Sequence, residues 1–212
     1  MKLSAIMAGL LLLSSHLALA QGGPFKEGVH YFEIDQATAP RDYVEVTEVF
    51  SYLCNHCATF EPYVQAWKER IPENVVLKRI PVVFGRRTYE LYARGYVTAS
   101  LMGIEEESHI AMMDSIWKER QQMRSLDDLA EFYSRFGVTK DAFLATAQSF
   151  SVDTQIRREQ RMIASYGVNA TPTMVVNGRY RVPNGDSVLD VVDYLVAQEL
   201  AALEERRGAE TT

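Results

Sequence analysis

Cysteine is scarce in this chain: Cys54 and Cys57 are the two cysteines among 212 residues. Small exported domains that depend on disulfides for stability usually carry roughly four or more cysteines, so one pair argues against a fold held together by disulfides. The chain is also long enough to bury a core without such support. The scarcity of cysteine therefore directs attention to the chemistry of the two thiols.

The chain also has fewer basic than acidic residues. The 22 lysines and arginines are outnumbered by 28 acidic residues, and the formal net charge is -6. Nucleic-acid-binding proteins usually present a strongly basic surface, so we expect no nucleic-acid partner. The densest basic cluster, Arg157, Arg158 and Arg161, is interrupted by Glu159 and is typical of a solvated helix face.

Long apolar runs are missing beyond the N-terminus, where a membrane-spanning helix would need about 18 uninterrupted apolar residues. The first residues have a different character. Lys2 precedes the apolar segment 3–13, and Ala18-Leu19-Ala20 offers a small-x-small cleavage site. We therefore predict a signal peptide over residues 1–20, cleaved after Ala20, and an exported protein.

The two cysteines follow a predicted strand. Residues 44–50 are rich in β-branched side chains and lead into Cys54-Asn55-His56-Cys57, after which apolar residues at helical spacing continue to Trp67. A break at residues 72–74 precedes a second predicted strand over residues 75–84. This order predicts a βαβ unit with the cysteines at the turn from strand to helix.

Helical spacing dominates the next part of the chain. The predicted helices cover residues 89–102, 108–120, 126–136, 140–150 and 152–166. Asn177-Gly178 between two short β-prone runs then predicts a hairpin, followed by a last helix over residues 186–203. The polar residues 204–212 are expected to form a frayed tail. The pattern predicts one α/β domain divided by an all-helical insertion.

The two-residue spacing of the cysteines suits redox chemistry. If Cys54 caps the helix, one turn brings the Cys57 sulfur beneath it, and the unpaired N–H groups of the helix end stabilise a Cys54 thiolate. Cys54 would then be the reactive sulfur and Cys57 the resolving one. His56 can place an N–H group or positive charge near Cys54, although a polar residue that only fills the loop is the alternative.

Other uses of the cysteine pair are weaker. Zinc could take Cys54, His56 and Cys57, but no second cluster completes a ligand set, and His30 and His109 are distant in sequence. We therefore predict no metal and no cofactor. A non-catalytic peptide-binding domain remains an alternative, with a groove lined by Tyr89, Tyr92, Met112 and Met113, although such residues at helical spacing are more often core.

Taken with Thr171-Pro172-Thr173 before the hairpin, the stretch from Val46 to Cys57 resembles the DsbA-type periplasmic thiol:disulfide interchange proteins. The resemblance implies a thioredoxin-like fold with an inserted all-helical domain. On this basis residues 21–85 and 167–203 form the discontinuous thioredoxin-like domain, and residues 86–166 form the insertion. The segment 204–212 is the polar tail.

The resemblance also implies roles for residues outside the motif. Pro172 is expected to be cis and to expose the backbone of Thr171 to a substrate peptide, whereas by itself it would be read as an ordinary trans proline. Glu48, Glu61 and Arg79 are expected beneath the active site, where they tune the thiols, with Arg79 in place of the familiar lysine. For Glu61, a surface helix charge is an equal alternative.

The function implied is donation of the Cys54–Cys57 disulfide to reduced exported proteins. The resemblance further implies a periplasmic location and reoxidation by a quinone-linked membrane partner of DsbB type, and we expect a monomer. A disulfide isomerase or reductase is the alternative within the same chemistry. It stays open because Asn55 occupies a position where proline is familiar, and an asparagine there restores a backbone donor and some flexibility.

Overall fold

The computed structural model describes residues 23–35 and 41–210. The predicted signal peptide and its cleavage site lie outside the described residues. Within them, five strands form one sheet: β1 (Phe32–Glu33), β2 (Val44–Phe50), β3 (Val75–Pro81), β4 (Thr173–Val176) and β5 (Tyr180–Pro183). None of the helices in the described part of the chain is both long and apolar enough to cross a bilayer.

The strand order is β1-β5-β4-β2-β3, so β2 lies inside the sheet. β2 pairs parallel with β3 and antiparallel with β4, and all seven of its residues are buried. Because side chains alternate along a strand, Val46, Glu48 and Phe50 share one face, and Thr47 and Val49 share the other. The central strand thereby carries a carboxylate into the interior.

Seven α-helices and one short 3₁₀ helix surround this sheet in the described residues. They are α1 (Asn55–Lys68), α2 (Arg87–Leu101), α3 (Glu105–Trp117), α4 (Leu126–Tyr133), the 3₁₀ helix (Ser134–Phe136), α5 (Lys140–Ala147), α6 (Phe150–Ser165) and α7 (Val188–Glu210). The predicted βαβ unit is present as β2, α1 and β3, and α2 to α6 follow without an intervening strand. The observed fold is the predicted thioredoxin-like fold with a helical insertion.

β3, which is the second of the two strands predicted for the βαβ unit, is shorter than predicted. It ends at Pro81 rather than at Phe84, because Pro81 pairs with Phe50, the last residue of β2. The backbone then turns at Phe84 and Gly85, which have positive φ angles of 46° and 67°. β-branched and apolar residues continue through this segment, so their composition resembles a strand even where the backbone has left the sheet. The chain then enters α2.

Helix ends in the insertion follow local signals. Gly103 and Gly137 have φ angles of 72° and 83°, which glycine adopts without strain, and they end α2 and the 3₁₀ helix. The side chains of Ser125, Thr139 and Ser149 cap α4, α5 and α6. Because Ser149 is a cap, α5 ends before it, and the predicted helix over residues 140–150 is too long at its C-terminus.

The predicted hairpin is present between β4 and β5. Asn177 and Gly178 both adopt left-handed conformations, with φ angles of 55° and 66°, and the Arg179 N–H donates to the Val176 carbonyl at 2.9 Å. Asparagine and glycine are the residues that tolerate this turn. The hairpin places residues 171–173 at the start of β4, beside the end of β2.

The C-terminal helix is longer than predicted. α7 continues past Leu203 to Glu210, so the segment predicted to fray is helical over most of its length. The residues of this segment are polar and exposed, and Glu and Arg are good helix formers. The Arg207 side chain donates to the Asp42 carbonyl at 2.7 Å, which holds this end of the helix against the start of β2.

The core is divided by the sheet and the insertion. One cluster joins the end of β2 and the cysteine loop to the insertion, and includes Phe50, Tyr52, Cys57, Tyr96 and Met112. A second packs α1 and α7 on the sheet, and a third packs α6 on the opposite face. The cysteine loop is therefore buried partly against the thioredoxin-like sheet and partly against the inserted helices.

We predict that Ser125→Ala destabilises the protein by about 1 kcal/mol, the usual cost of losing an N-cap. Ser125 Oγ accepts from the Asp128 N–H, and the Asp128 carboxylate accepts from the Ser125 N–H, each at 3.1 Å. Urea unfolding measures the loss. The matched control is Ser134→Ala at the other end of α4, where the hydroxyl donates to the exposed Glu131 carbonyl; an equal loss in both variants would contradict the role of the cap.

Candidate active site

Cys54 is the N-cap of α1, and its backbone is extended, with φ of -100° and ψ of 115°. The Cys54 sulfur lies 3.3 Å from the Thr171 carbonyl, which accepts its hydrogen when the thiol is protonated. The pKa of Cys54 is lowered to about 5, chiefly by a hydrogen bond from the Cys57 thiol, with further help from the Thr171 side chain and from the N–H groups of Cys57 and His56. Cys54 is therefore a thiolate at neutral pH.

Cys57 lies one turn further along α1 and is fully buried. The pKa of its thiol is raised far above the usual value by the hydrogen bond to Cys54, by burial and by the charge of Glu48. The two cysteines are not joined by a disulfide in this structure. The two sulfurs are thus chemically distinct: Cys54 is the ionised outer sulfur, and Cys57 is the protonated inner one.

His56 lies between the cysteines and is exposed. Its backbone N–H contributes to the low pKa of Cys54. In the described part of the chain, the hydrogen bonds found include none from the His56 imidazole to another group. A role for the imidazole in stabilising the thiolate therefore stays a prediction, while the backbone contribution follows from the position of His56 in the first helical turn.

The Thr171–Pro172 peptide bond is cis. Pro172 is buried, whereas Thr171 is only half-buried and faces Cys54 through its carbonyl. Thr173 begins β4 and pairs with Val49 of β2. The sheet register therefore brings two segments that are far apart in sequence to the same place. Recognition of a substrate backbone by Thr171 stays a prediction.

Glu48, Glu61 and Arg79 lie together beneath the cysteines. Glu48 and Arg79 are register partners on β2 and β3, and their side chains meet at 3.0 Å between Arg79 Nε and Glu48 Oε2. Arg79 Nη2 lies 3.0 Å from Glu61 Oε1 on α1. Glu61 is only 3% exposed, so it is not the surface helix charge that its sequence position also allowed.

The two carboxylates titrate in opposite directions. Burial raises the pKa of Glu48 to about 7, although the Arg79 charge opposes this shift. Burial also favours the neutral form of Glu61, but the hydrogen bond from His109 and the charge of Arg79 outweigh it and lower the pKa of Glu61. Near neutral pH, Glu48 is therefore the carboxyl group that can exchange a proton, and its charge acts on Cys57.

Sequence reasoning missed two members of this buried group, His109 and Tyr52. His109 Nε2 lies 3.2 Å from Glu61 Oε2, and His109 Nδ1 lies 3.0 Å from the Tyr52 hydroxyl. A signal was present, because His109 lies one turn before Met112 and Met113 on the buried face of α3. The distance of His109 from the cysteines in sequence concealed its proximity in the fold.

The alternative peptide groove in the insertion is not available, because Tyr92, Met112 and Met113 are buried in the core. An open groove of about 510 Å³ instead lies along α1, between Phe60 and Tyr63 on one side and Val188 and Leu189 on the other. Tyr63 is 65% exposed there. The groove begins less than two helical turns beyond Cys54.

A sheet of this topology, with a CxxC pair at the N-terminus of the helix after its central strand, defines a dithiol–disulfide oxidoreductase of thioredoxin-like fold. The family model described as "DSBA-like thioredoxin domain" matches residues 45–196. The thiol:disulfide interchange protein DsbA of Azotobacter vinelandii is 34% identical over 209 residues, which cover 94% of this chain and 97% of that protein.

Solved structures give the same result. The crystal structure of Pseudomonas aeruginosa DsbA is 33% identical, with a TM-score of 0.78, and the match covers 85% of this chain and 97% of that one. The oxidoreductase DsbA from Xylella fastidiosa is 36% identical, with a TM-score of 0.77 and coverage of 81% and 96%. The chain belongs to the DsbA family of thiol:disulfide oxidoreductases.

We predict that the thiolate absorbance of the reduced protein titrates with a midpoint at about 5. Cys57→Ala should raise this midpoint, because it removes the thiol that donates to Cys54, whereas Cys57→Ser keeps a donor and should raise it less. Ultraviolet absorbance of each variant, recorded from acid to alkaline pH, measures the effect. Equal midpoints in the wild type and Cys57→Ala would contradict the assignment.

We also predict that the reduced form gains stability relative to the oxidised form as the pH rises from about 5 toward 9. The pKa of Cys54 is lowered from 9.0 to about 5 in the folded protein, so the unfolded chain binds the extra proton in this range. This contribution is fully present above the unfolded pKa and is lost as the pH falls through 5. Thermal unfolding of both forms tests it, and a pH-independent difference would contradict it.

Proposed function

We propose that the protein is an exported dithiol oxidase that donates the Cys54–Cys57 disulfide to reduced substrate proteins during their oxidative folding. The observation that carries this proposal is the contrast between the two sulfurs, because the pKa of Cys54 is lowered to about 5 and that of Cys57 is raised. A sulfur that is stable as a thiolate is a good leaving group and a ready target for substrate thiolates.

The cycle begins when a substrate thiolate attacks the Cys54 sulfur of the oxidised protein. The Cys54–Cys57 bond breaks, its electron pair stays on Cys57, and a mixed disulfide joins the substrate to Cys54. A second thiolate of the same substrate then attacks the substrate sulfur, and Cys54 leaves as a thiolate. The substrate has lost two electrons, and the dithiol protein has gained them.

Cys57 has to acquire a proton in the first step, since its buried thiolate is unstable. Glu48 is the suitable donor, because its pKa is raised to about 7 and its charge acts on Cys57. Arg79 and Glu61 complete the charge balance around it. In this proposal the three residues tune the inner thiol, and His56 stabilises the outer one through its backbone and its imidazole.

The direction of exchange follows from the stability of the reduced form. Interactions that favour the Cys54 thiolate favour the dithiol state, which makes the disulfide more oxidising. A reductase would gain nothing from them. The substrate backbone is proposed to pair with Thr171 beside Pro172, where the chain reaches Cys54 from β4.

The cellular setting is part of the same proposal. A signal peptide cleaved after Ala20 would deliver the protein to the periplasm, where disulfides persist. There the reduced protein would be reoxidised by a quinone-linked membrane partner of DsbB type, and it would act as a monomer without a bound cofactor. The reduced exported proteins are its substrates.

The test has two parts. Oxidised wild-type protein should form disulfides in a reduced test protein, and Cys54→Ser should lose this activity entirely. In glutathione buffers the Cys54–Cys57 pair should be reduced far more readily than a structural disulfide, as an oxidising couple requires. A strongly reducing equilibrium would overturn the oxidase assignment in favour of a reductase, and unchanged activity in Cys54→Ser would overturn the exchange mechanism itself.

A further inference from the structure

His109 lies in the interior of the protein, 1% exposed, and brings the insertion into contact with the charged residues beneath the cysteines. Its ring packs against the aromatic rings of Phe50, Tyr52 and Tyr96, with ring centroids 5.0 to 5.9 Å apart. These contacts fix the plane of the imidazole. Both ring nitrogens therefore point at defined partners, which are Glu61 and Tyr52.

The hydrogen-bond partners determine the tautomer of His109. An ionised Glu61 carboxylate only accepts, so Nε2 carries the hydrogen, and Nδ1 then accepts from the Tyr52 hydroxyl. Burial lowers the pKa of His109 and raises that of Tyr52, which keeps the imidazole neutral and the phenol protonated. His109 is thus a neutral donor with a fixed orientation.

Glu48, Glu61 and Arg79 together carry more negative than positive charge when both carboxyl groups are ionised. Among the described residues, Arg79 is the one cation that pairs with both Glu48 and Glu61, so two ionised carboxylates would leave one buried negative charge without compensation. One proton shared between the two carboxyl groups removes this cost. The hydrogen-bond donors around each carboxyl group decide which of the two holds the proton.

Glu61 accepts more hydrogen bonds than Glu48 does. Glu61 accepts from Arg79, from Gln65 and from His109, so both of its oxygens have partners. Glu48 accepts from Arg79 through Oε2 alone, and its buried Oε1 has no partner in the described structure. Hydrogen bonds to the ionised form lower a carboxyl pKa, so the proton is directed to Glu48.

The other ionisable groups that act on this cluster come from three helices of the insertion. Tyr96 on α2 and Glu106 on α3 act on Arg79, and Tyr133 on α4 acts on Tyr52. The pKa values of Tyr96 and Tyr133 are raised, so both phenols stay neutral. Glu106 forms an ion pair with Lys68 nearer the surface. None of these groups donates to Glu61 among the described hydrogen bonds.

We propose that His109 is a positioning residue for disulfide exchange: by donating to Glu61 it keeps that carboxylate ionised and leaves the exchangeable proton on Glu48, next to Cys57. When the Cys54–Cys57 bond breaks, this proton passes to the Cys57 sulfur and Glu48 becomes a carboxylate, which regains a proton from solvent. The use of the proton in exchange rests on the proposed function. The partition of the proton between the two carboxyl groups does not.

The primary test is the titration of Glu48 and Glu61 by carbon NMR of their carboxyl groups, assigned with Glu48→Gln and Glu61→Gln. His109→Met keeps the volume but removes the donor, and we expect the pKa of Glu61 to rise by about one pH unit or more while that of Glu48 falls. His109→Gln, which supplies an amide donor, should restore the wild-type order. Unchanged titrations in His109→Met would overturn the proposal.

A second variant keeps the test decisive if His109→Met does not fold. His109→Leu also removes the donor but has a different side-chain shape, so the two carboxyl pKa values should move toward each other as in His109→Met. Values as far apart as in the wild type would refute the role of His109. The NMR titration needs no substrate, so a protein that fails to oxidise thiols but titrates as expected would refute the proposed function and leave this inference intact.

The pH profile of exchange provides a readout that a purely structural role would not change. In the wild type, the rate at which the oxidised protein accepts electrons from a reduced test protein should fall as Glu48 loses its proton near its pKa of about 7. In His109→Met this fall should occur at lower pH, and in His109→Gln it should return. A uniform loss of rate at every pH would indicate damage to the fold and overturn the positioning role.

Discussion

The arrangement of the protein depends on one guanidinium, Arg79, that binds two buried carboxyl groups. Each member of this group comes from a different element: Glu48 from β2, Arg79 from β3, Glu61 from α1 and His109 from α3. Desolvated charges are tolerated only when their hydrogen-bonding capacity is met, so these four elements have to pack in one relative position. The requirement links the central sheet, the helix that begins at Cys54 and the insertion.

The pKa difference between the two sulfurs develops next to this buried charged group. Cys54 lies at a helix end, where backbone N–H groups and the Cys57 thiol stabilise its negative charge. Cys57 lies one turn deeper, between Cys54 and the charge of Glu48, where a second negative charge is strongly disfavoured. The same sequence motif therefore yields one sulfur that leaves readily and one that needs a proton. The difference arises chiefly from the hydrogen bond that Cys57 gives to Cys54, and from the depth of each sulfur, and not from the identity of the residues.

Local features of the sequence were sufficient to predict most of the fold. The strand over residues 44–50, the cysteines at a helix start and the Asn177-Gly178 turn depend on short-range preferences, and all three are present. Glu48, Glu61 and Arg79 were predicted from resemblance. His109 was not, because its partners lie 48 and 57 residues away and no local pattern records them. The helical end of α7 was missed because polarity reports exposure and not conformation.

The contact between the insertion and the cysteine loop limits how the active site can be transplanted. Tyr52 donates to His109 through its hydroxyl, and its carbonyl accepts from the Trp117 indole N–H at 2.9 Å, so both ends of this loop residue are held by α3. A bare thioredoxin scaffold that received only Cys54-Asn55-His56-Cys57 would acquire the nucleophile without the residues that set its surroundings. The inserted helices are thus a structural part of the redox centre, and the motif is not a self-contained module.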